Sequence, residues 1–170
     1  MASCSTRQLT TGELSQLPAY QYDALREQEF RIVYLHPGTD ADELMVSVEV
    51  RATVTSGFNA VSYVWSNTEK VHRIYAANAV VTNEIKEGEK VVCVETEVPP
   101  SAYVMITDNL RKVLLSIRNK DLYIPLWIDS LCINQDDIAE KTGQVKKMDV
   151  VYASASCTLI CLTGYDEMMP

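Results

Sequence analysis

The residues of this chain best equipped for chemistry crowd into one stretch, "LWIDSLCINQDD", residues 126–137. An apolar run surfaces at Asp129, and the next eight residues supply a thiol, two amides and two more carboxylates. A carboxylate can serve as a general base or accept hydrogen bonds from a ligand. A thiol is a nucleophile only as the thiolate, which needs a base or a positive field. Each group also has an ordinary use. Asp129 can close an Asx-type turn, while Asn134, Gln135 and Asp136 can serve as loop and helix-cap residues. Cys132 has no His near it in sequence and sits among acids, which raise a thiol pKa, so a structural role is favoured there.

Other chemistries are thinly provided for. The sequence holds no G-x-G-x-x-G, no G-x-x-x-x-G-K-[ST], no H-E-x-x-H and no G-x-S-x-G. Two His and six Gly argue against triad hydrolases and Gly-rich nucleotide folds. The five cysteines are odd in number; Cys93, Cys157 and Cys161 lie in strand-like apolar runs. Buried reduced thiols in a cytoplasmic protein are the simplest reading. No metal is expected, because His36 and His72 have no Cys near them and a zinc site needs a closed ligand set. A net charge of −8 and a pI of about 4.7 repel phosphate backbones, which argues against nucleic acid. No apolar run approaches the roughly 18–20 residues of a membrane span, and the N-terminus shows no secretory leader.

The elements that must hold the 126–137 block follow from periodicity. Residues 1–28 read as a polar lead-in and 29–170 as one domain. "EFRIVYLHPG" (29–38) is a strand broken by Pro37-Gly38, and "ELMVSVEVRAT" (43–53) alternates apolar and polar, so 29–53 is predicted to be an antiparallel hairpin at one edge. "FNAVSYVWS" (58–66) is nearly continuously apolar, as suits a central strand. Residues 71–85 and 90–98 read as further short strands, with "KEGEK" as their turn. "ITDNLRKVLLSIRNK" (106–120) shifts to helical period, with Leu110, Val113, Leu114 and Ile117 on one face and Thr107 or Asp108 as cap. Residues 123–129 form a buried strand, 142–155 a helix with Val145, Met148 and Tyr152 on one face, and 157–164 a last buried strand.

Strand, helix, strand, helix, strand implies an α/β fold with a largely parallel sheet and flanking helices. Ligands of such sheets bind beyond the carboxyl ends of the strands. Those ends would deliver Tyr63, Trp65, Ser66 and Asn67 from one strand, Asp129, Ser130 and Cys132 from the next, and Thr163 and Gly164 from the last. Tyr63 and Trp65 are more often core than ligand platform, although Trp65 at the strand end can stand half exposed. Glu140 reads as an acid on a surface turn.

Three segments, "FNAVSYVWS", "TDNLRKVLLSIR" and "LWIDSLCINQDDIAEKTGQVKKMDVVYASASCTLICLTG", resemble the HET (heterokaryon incompatibility) domain of filamentous fungi. That family shows an "ALSYxWG" strand, an "xTxNLxxAL" helix start and an "LWIDAxCINQxDxxER…QVxxMxxIYxxA" block. The likeness covers residues 58–164. Ser66 stands where the family has Gly, which narrows the backbone freedom there. Lys141 replaces an Arg and Gly143 a bulkier polar residue. HET proteins usually run on into further helices and domains, so a chain ending at Pro170 reads as a short form or an excised fragment.

The resemblance implies a fungal effector or signalling domain of non-self recognition and programmed cell death. It would act through a strand-end groove or a self-assembly surface, on protein partners of homotypic HET or incompatibility-locus type. HET domains are distantly similar to TIR domains, flavodoxin-like modules of which some cleave NAD through a Glu on a helix after the third parallel strand. NAD is then an alternative substrate, with Asp129, Glu140 or Glu167 as catalytic candidates. Glu167 is the acid past that strand here, whereas Glu140 precedes it. A truncated interaction domain without activity is the third reading.

Overall fold

The computed structural model describes residues 10–65, 69–78 and 99–162, and the backbone of 84–87 and 90–93. A seven-stranded sheet carries the fold. In chain order its strands are β1 (Phe30–Leu35), β2 (Met45–Arg51), β3 (Asn59–Tyr63), β4 (Lys70–Asn78), β7 (Ala102–Thr107), β8 (Ile124–Trp127) and β9 (Cys157–Cys161). β5 (Glu84–Glu87) and β6 (Lys90–Cys93) form a separate antiparallel hairpin. The helices are α1 (Thr11–Ser15), α2 (Asp108–Ile117), α3 (Asp129–Cys132), α4 (Ile138–Val145) and α5 (Met148–Ser154).

The sheet order is β7-β4-β2-β1-β8-β3-β9. β8, β3 and β9 are adjacent and parallel, as their apolar runs and intervening helices predict. Their chain order across this block is second, first, third. The rest departs from a parallel sheet: β1 pairs antiparallel with both β2 and β8, and β4 with β7, while β2 and β4 run parallel. The sheet is therefore mixed, half of its neighbour pairs being antiparallel.

The 29–53 hairpin forms, but at the centre of the sheet rather than at an edge. The reason is visible in "FRIVYL": all six residues of β1 are buried, so the strand needs partners on both edges and cover on both faces. Phe30 packs on Phe58 at 5.8 Å between ring centroids, and Trp127 meets Tyr152 edge-on at 5.4 Å. α2 buries Leu110, Val113 and Leu114 against this core, and Thr107 is its cap, its hydroxyl accepting from the Leu110 N–H at 3.2 Å.

The single helix predicted over 142–155 is two helices that meet at Lys146 and Lys147. Val145 is half exposed, while Met148 and Tyr152 pack on the core. The last strand also departs from its buried reading: Cys157, Thr158 and Ile160 are exposed, because β9 is the edge of the sheet. Cys132, Cys157 and Cys161 are free thiols.

Candidate functional site

β8 ends at Trp127 and the chain turns at once into α3, so Asp129 opens a helix where a parallel strand ends. A first-turn carboxylate there meets amides with no helical acceptor, and Asp129 Oδ1 accepts from the Ser130 N–H at 2.7 Å. The neighbouring strand β3 delivers Tyr63 and Trp65 to the same end of the sheet. The Trp65 side chain lies close enough to the Asp129 carboxylate to favour its charged form. Its ring stacks on Tyr63 at 6.3 Å and 22° and is half exposed. The Tyr63 hydroxyl donates to Ser130 Oγ at 2.9 Å, which ties β3 to α3.

Burial raises the Asp129 pKa above its ordinary value; the Ser130 amide, Trp65 and the charge of Lys141 oppose that shift. The Tyr63 phenol is pushed up to about 12, chiefly by burial. It is a neutral hydrogen-bond donor at any physiological pH.

The loop beyond α3 is held to the same point. Gln135 Nε2 donates to the Asp129 carbonyl at 2.9 Å, and Asn134 Oδ1 accepts from the Asp136 N–H at 3.2 Å. The cap of α4 is Asp137, whose Oδ1 accepts from Ala139 and Glu140. Trp65, Asp129, Asn134, Gln135 and Asp136 thus gather around one loop. Asn134, Gln135 and Asp136 also line a cleft of about 200 Å³, together with Tyr20, Tyr22 and Tyr103.

Two candidates do not belong to an open site. Cys132 is buried against β1 and β8, and burial pushes its thiol up to about 12, so it packs and does not attack. Glu140 is no solvated surface acid. Its Oε1 lies 2.6 Å from Arg31 Nη1 and also accepts from the Asn134 N–H at 2.8 Å, while Oε2 accepts from Arg31 Nη2 at 3.1 Å. Ser66, Asn67, Thr163, Gly164 and Glu167 lie outside the described residues. Among the described residues no group of three or more His, Cys, Asp or Glu is placed to hold a metal ion.

Sequence reasoning missed Arg31, Tyr20 and Tyr22. Arg31 had a signal: a cation inside a fully apolar strand must find an acid. The tyrosines had none, because Pro18–Tyr20 joins the far edge of the sheet only in three dimensions, through Tyr103.

No described helix is long and apolar enough to cross a membrane. The family model described as "Heterokaryon incompatibility protein (HET)" matches residues 58–169. Heterokaryon incompatibility protein 6, OR allele, of Neurospora crassa is 29% identical over 162 residues, which cover 93% of this chain and 22% of that protein. The chain thus spans about a fifth of the curated relative it matches. No solved structure matches. The matched region holds β3, the whole 126–137 block and the Trp65–Asp129 contact, and with it the chain belongs to the heterokaryon incompatibility (HET) family.

Proposed function

We propose that this chain is a cytoplasmic recognition and effector domain of fungal heterokaryon incompatibility, which turns non-self recognition into programmed cell death. The observation that carries this reading is the Trp65–Asp129 contact at the ends of two adjacent parallel strands. A half-exposed Trp stacked on Tyr63 beside a half-buried carboxylate is an interface hot spot in kind. The partners it suits are proteins, homotypic HET domains or incompatibility-locus products. The net charge of −8 disfavours nucleic acid.

The neighbouring cleft weighs in the same direction. About 200 Å³ is below the roughly 300–1,000 Å³ of small-molecule sites, and it suits one side chain of a protein better than a whole dinucleotide. NAD cleavage, the alternative, would have Asp129 as its acid among the described candidates, since Glu140 is committed to Arg31.

The test is expression in a fungal host with a viability readout for wild type, Trp65→Ala and Asp129→Asn. Both variants are expected to fold and to lose killing. Full killing by either, normally folded, would overturn the groove. Incubation of purified protein with NAD is expected to release no nicotinamide; release would replace the recognition reading with an enzymatic one.

A further inference from the structure

Arg31 shows how this chain seats a cation. Its Cζ lies over the Tyr22 ring, 4.9 Å from the centre, and its Nη1 lies 2.6 Å from Glu140 Oε1. One guanidinium thus meets an aromatic ring and a carboxylate together. Arg73 lies likewise over Tyr103, at 4.1 Å.

The ends of β3 and β8 hold the same two components. Trp65, stacked on Tyr63, stands half exposed beside the half-buried Asp129 carboxylate. Among the described residues no Lys or Arg is ion-paired with that carboxylate. The ion pairs there draw on Arg26, Arg31, Arg51, His72 and Lys112, and none reaches Asp129. Lys141 acts on it through its charge, without an ion pair. The residues that follow Trp65 along the chain, Ser66, Asn67 and Thr68, bring no positive charge.

We propose that the Trp65–Asp129 site takes an arginine side chain of a partner protein, its guanidinium stacked on the Trp65 ring and paired with the Asp129 carboxylate. This rests on the reading of that site as a protein-recognition surface, and names what it recognises. Charge and shape select the occupant. A cation is attracted to an aromatic face, and to Trp most of all. A neutral side chain would leave the Asp129 charge unmatched. Arginine suits the pair better than lysine, because its planar fork stacks on a ring while its edge meets a carboxylate, and it is more weakly hydrated. The surrounding field agrees. Asp136 and Asp137 stand exposed in the loop beyond, and the whole chain carries −8. A basic partner segment is drawn to such a surface and an acidic one repelled.

Heteronuclear NMR on the full 170-residue chain tests this, because its two tryptophans give one indole resonance each and the buried Trp127 serves as internal control. The probes are three acetylated, amidated tripeptides with glycine on either side of arginine, lysine or citrulline, the last keeping the shape of arginine without its charge. The arginine peptide is expected to move the Trp65 indole resonance along a saturable curve with a Kd of about 1–10 mM and to leave Trp127 in place. The lysine peptide should bind several-fold more weakly and the citrulline peptide should not bind. Asp129→Asn should weaken arginine binding about fivefold, and added salt should weaken it as well. An arginine peptide that leaves Trp65 unmoved at about 50 mM, well above the expected Kd, overturns the proposal. So does a lysine or citrulline peptide that binds as well as arginine, or undiminished binding by a normally folded Asp129→Asn. The peptide comparison uses the wild-type chain, so it decides the matter even where that variant does not fold. Peptides that fail while Trp65→Ala still abolishes killing would remove the arginine and leave the recognition surface standing. Peptides that bind while a folded Trp65→Ala kills fully would keep the arginine site and remove its part in recognition.

Discussion

Arg31, wholly buried in the central strand β1, holds Glu140 of α4 through two hydrogen bonds, with Arg31 Nη1 2.6 Å from Glu140 Oε1. The guanidinium also donates to the carbonyls of Cys132 and Asp23 and sits 4.9 Å from the centre of the Tyr22 ring. One buried cation therefore joins the N-terminal segment, the 126–137 block and α4. Its net worth against an apolar substitute is small, because desolvation offsets much of the attraction. Its removal on one side only is a different matter.

Glu140→Ala leaves that cation buried without its anion and should cost about 3–5 kcal/mol in urea unfolding. The double variant Arg31→Met, Glu140→Leu should recover most of the loss. An unchanged stability of Glu140→Ala would show that the pair does not hold the fold and would return Glu140 to the catalytic candidates.

Trp127 is 1% exposed at the end of β8. Trp127→Ala removes its packing on Tyr152 and leaves a cavity, and the expected cost is about 3–5 kcal/mol. That is a large share of a typical stability of roughly 5–15 kcal/mol. A calorimetric melt unchanged by the substitution would contradict the burial.

Asp129→Asn should leave the melting temperature at neutral pH unchanged or slightly raised. Burial raises the Asp129 pKa, so the ionised carboxylate is held at a cost in the folded chain. The amide removes that cost and keeps an acceptor for Ser130 and Trp65. A fall of about 0.5–2 kcal/mol, the usual loss with a helix cap, would instead mark Asp129 as a structural cap.

His36 gives the fold an acid sensitivity. Burial, with the charge of Arg118 second, lowers its pKa from 6.5 to about 4, and Nε2 lies 2.6 Å from Ser47 Oγ. Above pH 6.5 both folded and unfolded chains hold it neutral, and stability is full on this account. As pH falls from 6.5 towards about 4, the unfolded chain takes up the proton first and stability drops, levelling once the folded chain is protonated. At about 1.4 kcal/mol per unit the loss is at most about 3.5 kcal/mol. Urea midpoints should fall across this window in wild type and less steeply in His36→Asn. Parallel profiles would refute the assignment.

Arg118 clamps the 36–43 turn. Its guanidinium donates to the carbonyls of His36, Pro37, Thr39, Asp42 and Glu43 at 2.9 to 3.2 Å. Gly38 has a φ of 152° and lies so close to Arg118 that a Cβ there would strike the guanidinium. Arg118→Lys keeps the charge but lacks the planar fork, so amide exchange in 36–43 should quicken while the sheet core is unaffected. Uniform exchange in the variant would show the clamp to be redundant.

The sequence by itself determined the local facts. Continuous apolar runs marked β3, β8 and β9, helical period marked α2 with its Thr107 cap, and the motif block marked the HET family and the end of β8 where polar groups gather. Those are properties of neighbours along the chain. Tertiary structure decided what depends on distant partners. It placed the β1–β2 hairpin in the middle of the sheet, because a strand buried along its whole length must be covered on both sides. It turned Glu140 from a solvated acid into the partner of a cation 109 positions away, and it set Cys132 in the core. It also brought Trp65 to Asp129, since parallel strands meet at their carboxyl ends however far apart they stand in sequence.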